Sequence, residues 1–225
     1  MSRSQLSFNA LIPARAGSKS IPNKNLVKLG SSSLIDRSID LAKSWRFKSI
    51  FISTDIETIM KEEFGDNRIK LRQRPDELAT DKASMEAVVT DAIDHFKIKQ
   101  GEWIILMQPT SPFRTKADLD NIAHLIDTHH SKSLISVTDV GGYHPERMYT
   151  KKSNKLKPLR YTSFNNRQEL MKIYIRNGCF YAFRVGDFMK DKSFYIHPCL
   201  TYEMSKEASI NIDHEMDLLL AKQLL

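Results

Sequence analysis

The sequence predicts an α/β protein built on a doubly wound, mostly parallel sheet with helices on both faces. Short apolar runs alternate with helical patterns through residues 7–140. The run WIILM at 103–107 is apolar throughout, which is typical of a central parallel strand covered on both faces. Ser33 and Thr115 each stand three residues before an aspartate, the spacing of a capping box that begins a helix. Ligands of such a sheet bind at the carboxyl ends of the strands, where we expect the site.

Hydrophobic periodicity assigns the elements of the first third of the chain. They are a strand at 7–12, a helix from Ser33, a strand at 49–53, a helix at 56–64 and a short strand at 69–71. The first strand is predicted to end at Pro13, where a polar, lysine-rich loop begins and runs to Gly30.

The middle of the chain contains the clearest helix. Its apolar residues recur on one helix face: Met85, Val88, Val89, Ala92, Ile93 and Phe96. The strand at 103–107, the helix from Thr115 and a strand at 134–137 follow. Residues 141–176 are basic, aromatic and rich in turns, which indicates a protruding hairpin or lobe.

The end of the chain returns to regular structure, with a strand at 179–183 and a helix at 215–225. The chain has 225 residues and no internal repeat, so we expect one domain over 1–225. Within it, 141–176 forms the protruding segment.

Composition restricts the class of protein and of partner. Hydrophobic residues make up 41% and charged residues 27%, which is typical of a soluble globular protein rather than a disordered or fibrous one. The longest apolar runs are far shorter than the ~18 residues of a membrane span. The first residues lack the apolar core of a secretory signal, so we expect a cytoplasmic protein with reduced cysteines and no membrane partner. The net charge of +7 favours anionic partners.

The loop after the first strand has the composition of a polyphosphate site. PARAGSKSIPNKN at 13–25 holds Arg15, Lys19 and Lys24 beside Gly17, so backbone N–H groups and cations are available to phosphate oxygens. It matches neither the Walker A pattern nor the dinucleotide fingerprint. On composition alone, a solvated basic turn is the alternative.

Further motifs follow that loop in a fixed order. QPTSPFR stands at 108–114, and the others are STD at 53–55, RP at 74–75, LATD at 78–81, RQ at 167–168, NG at 177–178 and INID at 210–213. From residue 8 to the C-terminus, this order resembles the acylneuraminate cytidylyltransferases, the CMP-sialic acid synthetase family, which includes CMP-legionaminate and CMP-pseudaminate synthetases.

The resemblance implies a Rossmann-like nucleotidyltransferase and a reaction. The anomeric hydroxyl of a nine-carbon 2-keto acid sugar attacks the α-phosphate of CTP, which gives a CMP-sugar and pyrophosphate. It also implies Mg²⁺ as cofactor and a homodimer joined through 141–176, in which this segment reaches the partner's sugar site. A nucleic-acid partner is not expected, because a basic nucleotide enzyme accounts for the charge.

The resemblance assigns most of the nucleotide contacts. The triphosphate residues are Arg15, Ser18, Lys19, Lys24 and Asn25, with Arg15 and Lys24 expected to matter most in catalysis. Arg74, Asp81 and Ser84 fall where the family reads cytosine, and Gln108 is placed against base or substrate. The structural alternatives are an arginine in a surface turn beside Pro75, and a Ser or Asp that caps a helix.

The sugar contacts implied by the resemblance are Arg167 for the carboxylate, Gln168 beside it, and Asn177 near the acyl and hydroxyl groups. A solvated Arg167 is the local alternative. Phe194-Tyr195 is either an apolar wall for an acyl group or part of the core.

The family's metal pattern is altered in this chain. Two aspartates one residue apart are read here as Asn211-Ile212-Asp213, so Asp213 is the expected Mg²⁺ ligand and Asn211 offers only an amide oxygen. Asp213 could instead cap the last helix. This difference leaves open a catalytically inactive nucleotide-binding protein of the same fold.

Overall fold

The computed structural model describes residues 6–160 and 170–225 and confirms the α/β class. The strands in chain order are β1 (Phe8–Ala14), β2 (Lys28–Leu29), β3 (Ser32–Ser33), β4 (Ser49–Thr54), β5 (Ile69–Gln73), β6 (Trp103–Leu106), β7 (Ser133–Asp139), β8 (Tyr149–Lys152), β9 (Lys155–Pro158), β10 (Tyr174–Arg184) and β11 (Cys199–Glu203). Seven of them form the central sheet, in the spatial order β11-β7-β10-β6-β1-β4-β5. All strand pairs of this central sheet are parallel except those of β10, which runs antiparallel to β6 and β7.

The helices are α1 (Leu34–Lys43), α2 (Glu57–Met60), α3 (Met85–Phe96), α4 (Lys116–Thr128), α5 (Val185–Asp191) and α6 (Glu215–Gln223). Both predicted capping boxes are confirmed, because Ser33 and Thr115 exchange hydrogen bonds with the aspartates three residues later. The helix expected over 56–64 is wrong beyond its first turn. The chain leaves the helix at Lys61, and Gly65 then takes a φ of 64°, which turns the backbone toward β5.

The first strand continues through Pro13, contrary to the prediction. Pro13 pairs with Ser53 in β4, whereas the pairing of β1 with β6 already ends at Leu11. Proline is tolerated where a strand has lost one of its neighbours, since it cannot donate to a ladder. β1 therefore delivers Ala14 and the basic loop directly to the carboxyl edge of the sheet.

Alternate residues of the buried strands face two separate cores. Ala10 and Ile12 pack with α1 and α4 on one face, and Leu11 packs with α3 and α5 on the other. This is the arrangement expected for strands buried on both faces. Phe194 belongs to the second core while Tyr195 is exposed, so the core alternative holds for Phe194.

A third small core joins the C-terminal segment to the basic loop. Ile212 and Ala221 pack there against Ile21, Leu29 and Leu34. Ile212 is fully buried, and its N–H donates to Thr110 O at 2.8 Å. Because Ile212 is fixed in this way, the side chains on either side of it are held at the carboxyl edge of the sheet.

The segment 141–176 contains a hairpin, β8–β9, that pairs with no other described strand. Its last residues already belong to β10, which is longer than the predicted strand at 179–183. Arg167 and Gln168 lie outside the described residues. Cys179 and Cys199 are both free thiols, in agreement with the reduced state expected. Within 6–160 and 170–225, no helix has the length and apolar character needed to cross a membrane.

Candidate active site

A cleft of about 310 Å³ opens where β1, β5 and β6 end. It is lined by Pro13, Arg15, Gly17, Ser18, Lys24, Asn25, Arg74, Met85, Gln108, Pro109, Thr110, Asn211 and Asp213. Most of the residues predicted to bind nucleotide or metal are therefore brought together, at the edge where a doubly wound sheet binds its ligands.

Two hydrogen bonds fix the conformation of the basic loop, one within the loop and one to the end of β4. Asn25 donates from Nδ2 to Arg15 O at 2.8 Å, and Ala16 N–H donates to Asp55 Oδ1 at 2.8 Å. Asp55 belongs to the STD motif at 53–55, from which no role for it is predicted. Its position directly after β4, the neighbour of β1, is the signal that could have identified it.

The Asp81 carboxylate forms ion pairs with two cations of the basic loop. Lys19 Nζ lies 2.8 Å from Asp81 Oδ2, and Arg15 donates to Oδ1. Hydrogen bonds from Lys19 and Arg15 lower the pKa of this exposed carboxyl. Asp81 thus contacts the basic loop rather than lining the cleft itself.

Lys24, Asp213 and Asn211 form a chain of contacts across the cleft. Lys24 Nζ donates to Asp213 Oδ1 at 2.9 Å, and Asn211 Nδ2 donates to Asp213 Oδ2. The N-cap position of α6 is His214, so the capping alternative for Asp213 is wrong. The carboxylate instead faces the basic loop.

Arg74 is a buried cation at the wall of the cleft. Only 3% of it is exposed, so the alternative of a solvated surface turn is wrong. Its NH2 group donates to Ser53 O at 2.7 Å, and Nε lies 3.3 Å from Ser53 Oγ. Burial lowers the pKa of Arg74 to about 10, which leaves the group charged at neutral pH.

Gln108 lies next to a turn within β10, at Gly178. Gly178 has a φ of 78°, and a Cβ placed on it would stand 3.8 Å from Gln108 Oε1. This turn falls at the shift in register between Arg176 and Tyr181. A bulge in β10 therefore brings the predicted Asn177-Gly178 pair close to the site.

Two predicted residues have structural partners that occupy their polar groups. Asn177 Oδ1 accepts from Ser136 Oγ at 2.6 Å, and its Nδ2 donates to Ser209 Oγ at 2.9 Å. Ser84 is the N-cap of α3, where its Oγ accepts from Ala87 N–H, as the capping alternative states. Neither side chain lines the cleft. Their ligand contacts stay predictions.

The residues at the end of the cleft fit a magnesium ion that is shared with a polyphosphate. Asp213 offers a carboxylate, and Asn211 Oδ1 is buried without a hydrogen-bond donor among the described residues. Mg²⁺ binds oxygen ligands and is commonly held by one or two carboxylates, waters and substrate phosphates. The part of the chain that the structure describes has no group of three or more His, Cys, Asp or Glu side chains able to hold a metal alone.

Solved structures of other proteins share this fold. CMP:2-keto-3-deoxy-manno-octonic acid synthetase complexed with CTP matches with a TM-score of 0.68 over 97% of this chain and 98% of that one, at 13% identity. Francisella tularensis 2-C-methyl-D-erythritol 4-phosphate cytidylyltransferase matches with a TM-score of 0.69 over 97% of this chain and 100% of that one, at 17% identity. At these identities the likeness concerns the fold alone.

The cytidylyltransferase family model matches residues 9–222, and the chain belongs to this family. An N-acylneuraminate cytidylyltransferase of Streptococcus agalactiae serotype III is 30% identical over 93% of this chain and 51% of that protein. The chain thus spans about half the length of the first relatives it matches. CMP-N,N'-diacetyllegionaminic acid synthase of Legionella pneumophila is 32% identical over 96% of this chain and 95% of that protein.

Proposed function

We propose that this protein is a cytidylyltransferase that couples CTP to an acidic 2-keto-3-deoxy sugar of the sialic acid type, with release of pyrophosphate. The observation that carries the proposal is the convergence of Arg15, Lys24 and Arg74 in one cleft at the carboxyl edge of the sheet. The relatives, which are named for sialic, legionaminic and pseudaminic acids, support this class of sugar. Since CTP is a cytoplasmic nucleotide, we place the reaction in the cytoplasm.

The cleft supplies distinct groups for each part of the nucleotide. Arg15 and Lys24, with Ser18, Lys19 and Asn25, surround the triphosphate and stabilise the charge that develops on it. Arg74 and Gln108 form the wall for the cytosine base, with Asp81 and Ser84 at its margin. Mg²⁺ on Asp213, with Asn211 beside it, would neutralise phosphate charge during the displacement.

The sugar is recognised at the side of the cleft next to β10. Arg167 pairs with its carboxylate, and Gln168 and Asn177 lie close to its hydroxyl and acyl groups. Candidate sugars are N-acetylneuraminate, legionaminate, pseudaminate and an amino-modified eight-carbon acid, since all carry the same carboxylate.

The test of the function is pyrophosphate release from CTP and Mg²⁺ with each of these sugars, beside ATP, GTP and UTP. Release with CTP and one sugar is expected. A catalytically inactive nucleotide-binding protein is the second candidate, favoured by the single carboxylate at 211–213. That candidate predicts that CTP binds but that no pyrophosphate is released from it with any sugar in the panel.

We further propose a homodimer formed through 141–176. This segment exposes an unusual number of large apolar side chains: Tyr143, Met148, Tyr149, Leu156, Leu159, Met171, Tyr174 and Ile175. Four of them, Tyr143, Met148, Tyr174 and Ile175, line an apolar groove of about 510 Å³. Exposed apolar patches of this kind mark interaction sites. In such a dimer Arg167 serves the neighbouring sugar site.

Replacing Leu156 with glutamate is expected to produce a monomer, because a charge in an apolar interface is left unpaired. The measurement is the mass in solution by sedimentation equilibrium. Leu219→Glu is the matched control, since Leu219 is 55% exposed against 66% for Leu156 but lies on α6. A wild-type monomer, or equal dissociation by both variants, would contradict the proposed interface.

A further inference from the structure

The metal end of the cleft has little negative charge of its own. Asp213 is the acidic residue among those that line the cleft, where Arg15, Lys24 and Arg74 carry three positive charges. Both of its carboxylate oxygens already have partners, Lys24 on Oδ1 and Asn211 on Oδ2. A free divalent cation therefore meets a positively charged cleft and a carboxylate that is already neutralised.

The amide of Asn211 takes the place of a second carboxylate beside Asp213, so no cation is required to hold two negative charges together there. A carboxylate at 211 would lie next to the Asp213 carboxylate and repel it, and a cation bound between the two would relieve that repulsion. The amide instead donates to Asp213 and stabilises the carboxylate without metal. Its oxygen Oδ1 has no donor among the described residues and is a neutral ligand that becomes useful once a cation arrives.

Bound triphosphate would change this balance. Its oxygens supply the negative charge that the cleft lacks, and they share the positive charge of Lys24 with Asp213, so that the carboxylate is less neutralised. Mg²⁺ retains waters and is readily held between one carboxylate and substrate phosphates. The missing ligands of the metal site are thus those that the nucleotide brings.

We propose that Asn211 makes divalent-cation binding conditional on nucleotide, so that the cation enters the site with the triphosphate and not before it. This rests on the proposed binding of CTP in the cleft. By linkage, the cation then strengthens CTP binding by the same factor by which CTP strengthens cation binding. An aspartate at 211 would weaken this dependence, because the protein alone would then attract the cation.

The experiment is equilibrium dialysis of the full chain with Mn²⁺ as the probe metal, with and without CTP and without any sugar. CTP binding is first measured separately in the presence of a chelator. The wild type is expected to retain one Mn²⁺ per chain only when CTP is present. Asn211→Asp is expected to bind free Mn²⁺ at least about tenfold more tightly than the wild type.

Asn121→Asp is the charge-matched control, because Asn121 is exposed on α4 and does not line the cleft. Saturable Mn²⁺ binding by nucleotide-free wild type, or equal tightening in both variants, would overturn the inference while CTP binding stands. Absence of CTP binding under all conditions would overturn the proposed function and the inference with it. If Asn211→Asp does not fold, the wild-type comparison with and without CTP decides alone.

Discussion

Replacing Lys24 with methionine is expected to lower kcat/KM for CTP by at least about 100-fold in the pyrophosphate assay. The side chain of Lys24 is only 13% exposed, and Asp213 holds its ammonium group at 2.9 Å inside the cleft. A charge fixed in position before the substrate binds costs no reorganisation when negative charge develops on the phosphates. Methionine keeps most of the length of the side chain and removes the ammonium group with its charge and its hydrogen bond to Asp213.

Lys28→Met is the matched control, because Lys28 is exposed on β2 just beyond the same loop and does not line the cleft. It is expected to change kcat/KM by less than about twofold, as bulk charge is screened by salt. Lys19→Met should fall between them, since that side chain is 87% exposed and reaches the cleft only through Asp81 and Arg15. Equal losses at Lys24 and Lys28 would show that net charge, and not position, governs binding.

The basic side of the cleft could be predicted because its residues follow one another in sequence. Arg15, Ser18, Lys24 and Asn25 belong to one loop, and the end of β1 fixes where that loop lies. The contact of Lys24 with Asp213 joins residues 189 positions apart, and local periodicity carries no information on it. Only the family resemblance placed Asp213 there.

The last third of the sheet was harder to predict. The pattern at 179–183 indicated a strand, but strand direction depends on the connection, and the antiparallel course of β10 was not anticipated. β11 and α5 were not predicted at all. β11 is an edge strand with partly exposed residues, and α5 is a short helix, so neither has a continuous apolar pattern.

Burial decided between alternatives that sequence left open. On its local sequence, Arg74 beside a proline favoured a surface turn, and the family resemblance favoured a contact with the base; the structure shows that the side chain is buried and bonded to Ser53. Asn177 was assigned to the sugar, yet its amide is bonded to Ser136 and Ser209. Side-chain partners of this kind depend on the register of distant strands, which composition does not reveal.

Replacing Arg74 with methionine is expected to lower kcat/KM for CTP by about 100-fold while leaving the thermal midpoint within about 3 °C of the wild type. The guanidinium is buried and forms no ion pair with the residues that the structure describes, so its removal relieves a desolvation cost that offsets the lost hydrogen bonds to Ser53. Arg72→Met is the matched control, two residues earlier on β5. Arg72 pairs with Asp91 at 2.9 Å and does not line the cleft. Its loss should lower the midpoint by several degrees and spare CTP binding.

The pH dependence of stability separates the two arginines further. Burial lowers the pKa of Arg74 to about 10 in the folded protein, below the ordinary value of an arginine, so the folded state releases this proton before the unfolded chain as the pH rises. The free energy of unfolding rises with pH wherever the unfolded chain binds more protons than the folded protein does. The burial of charged Arg74 therefore destabilises the folded protein fully below about pH 10, and this destabilisation decreases above that pH. The hydrogen bonds to Asp91 raise the pKa of Arg72. Arg72 therefore gives the wild type no increase in stability above about pH 10, and Arg72→Met removes none. A stability difference between Arg74→Met and the wild type that is constant from about pH 8 to 11 would contradict a buried, unpaired guanidinium at this wall of the cleft.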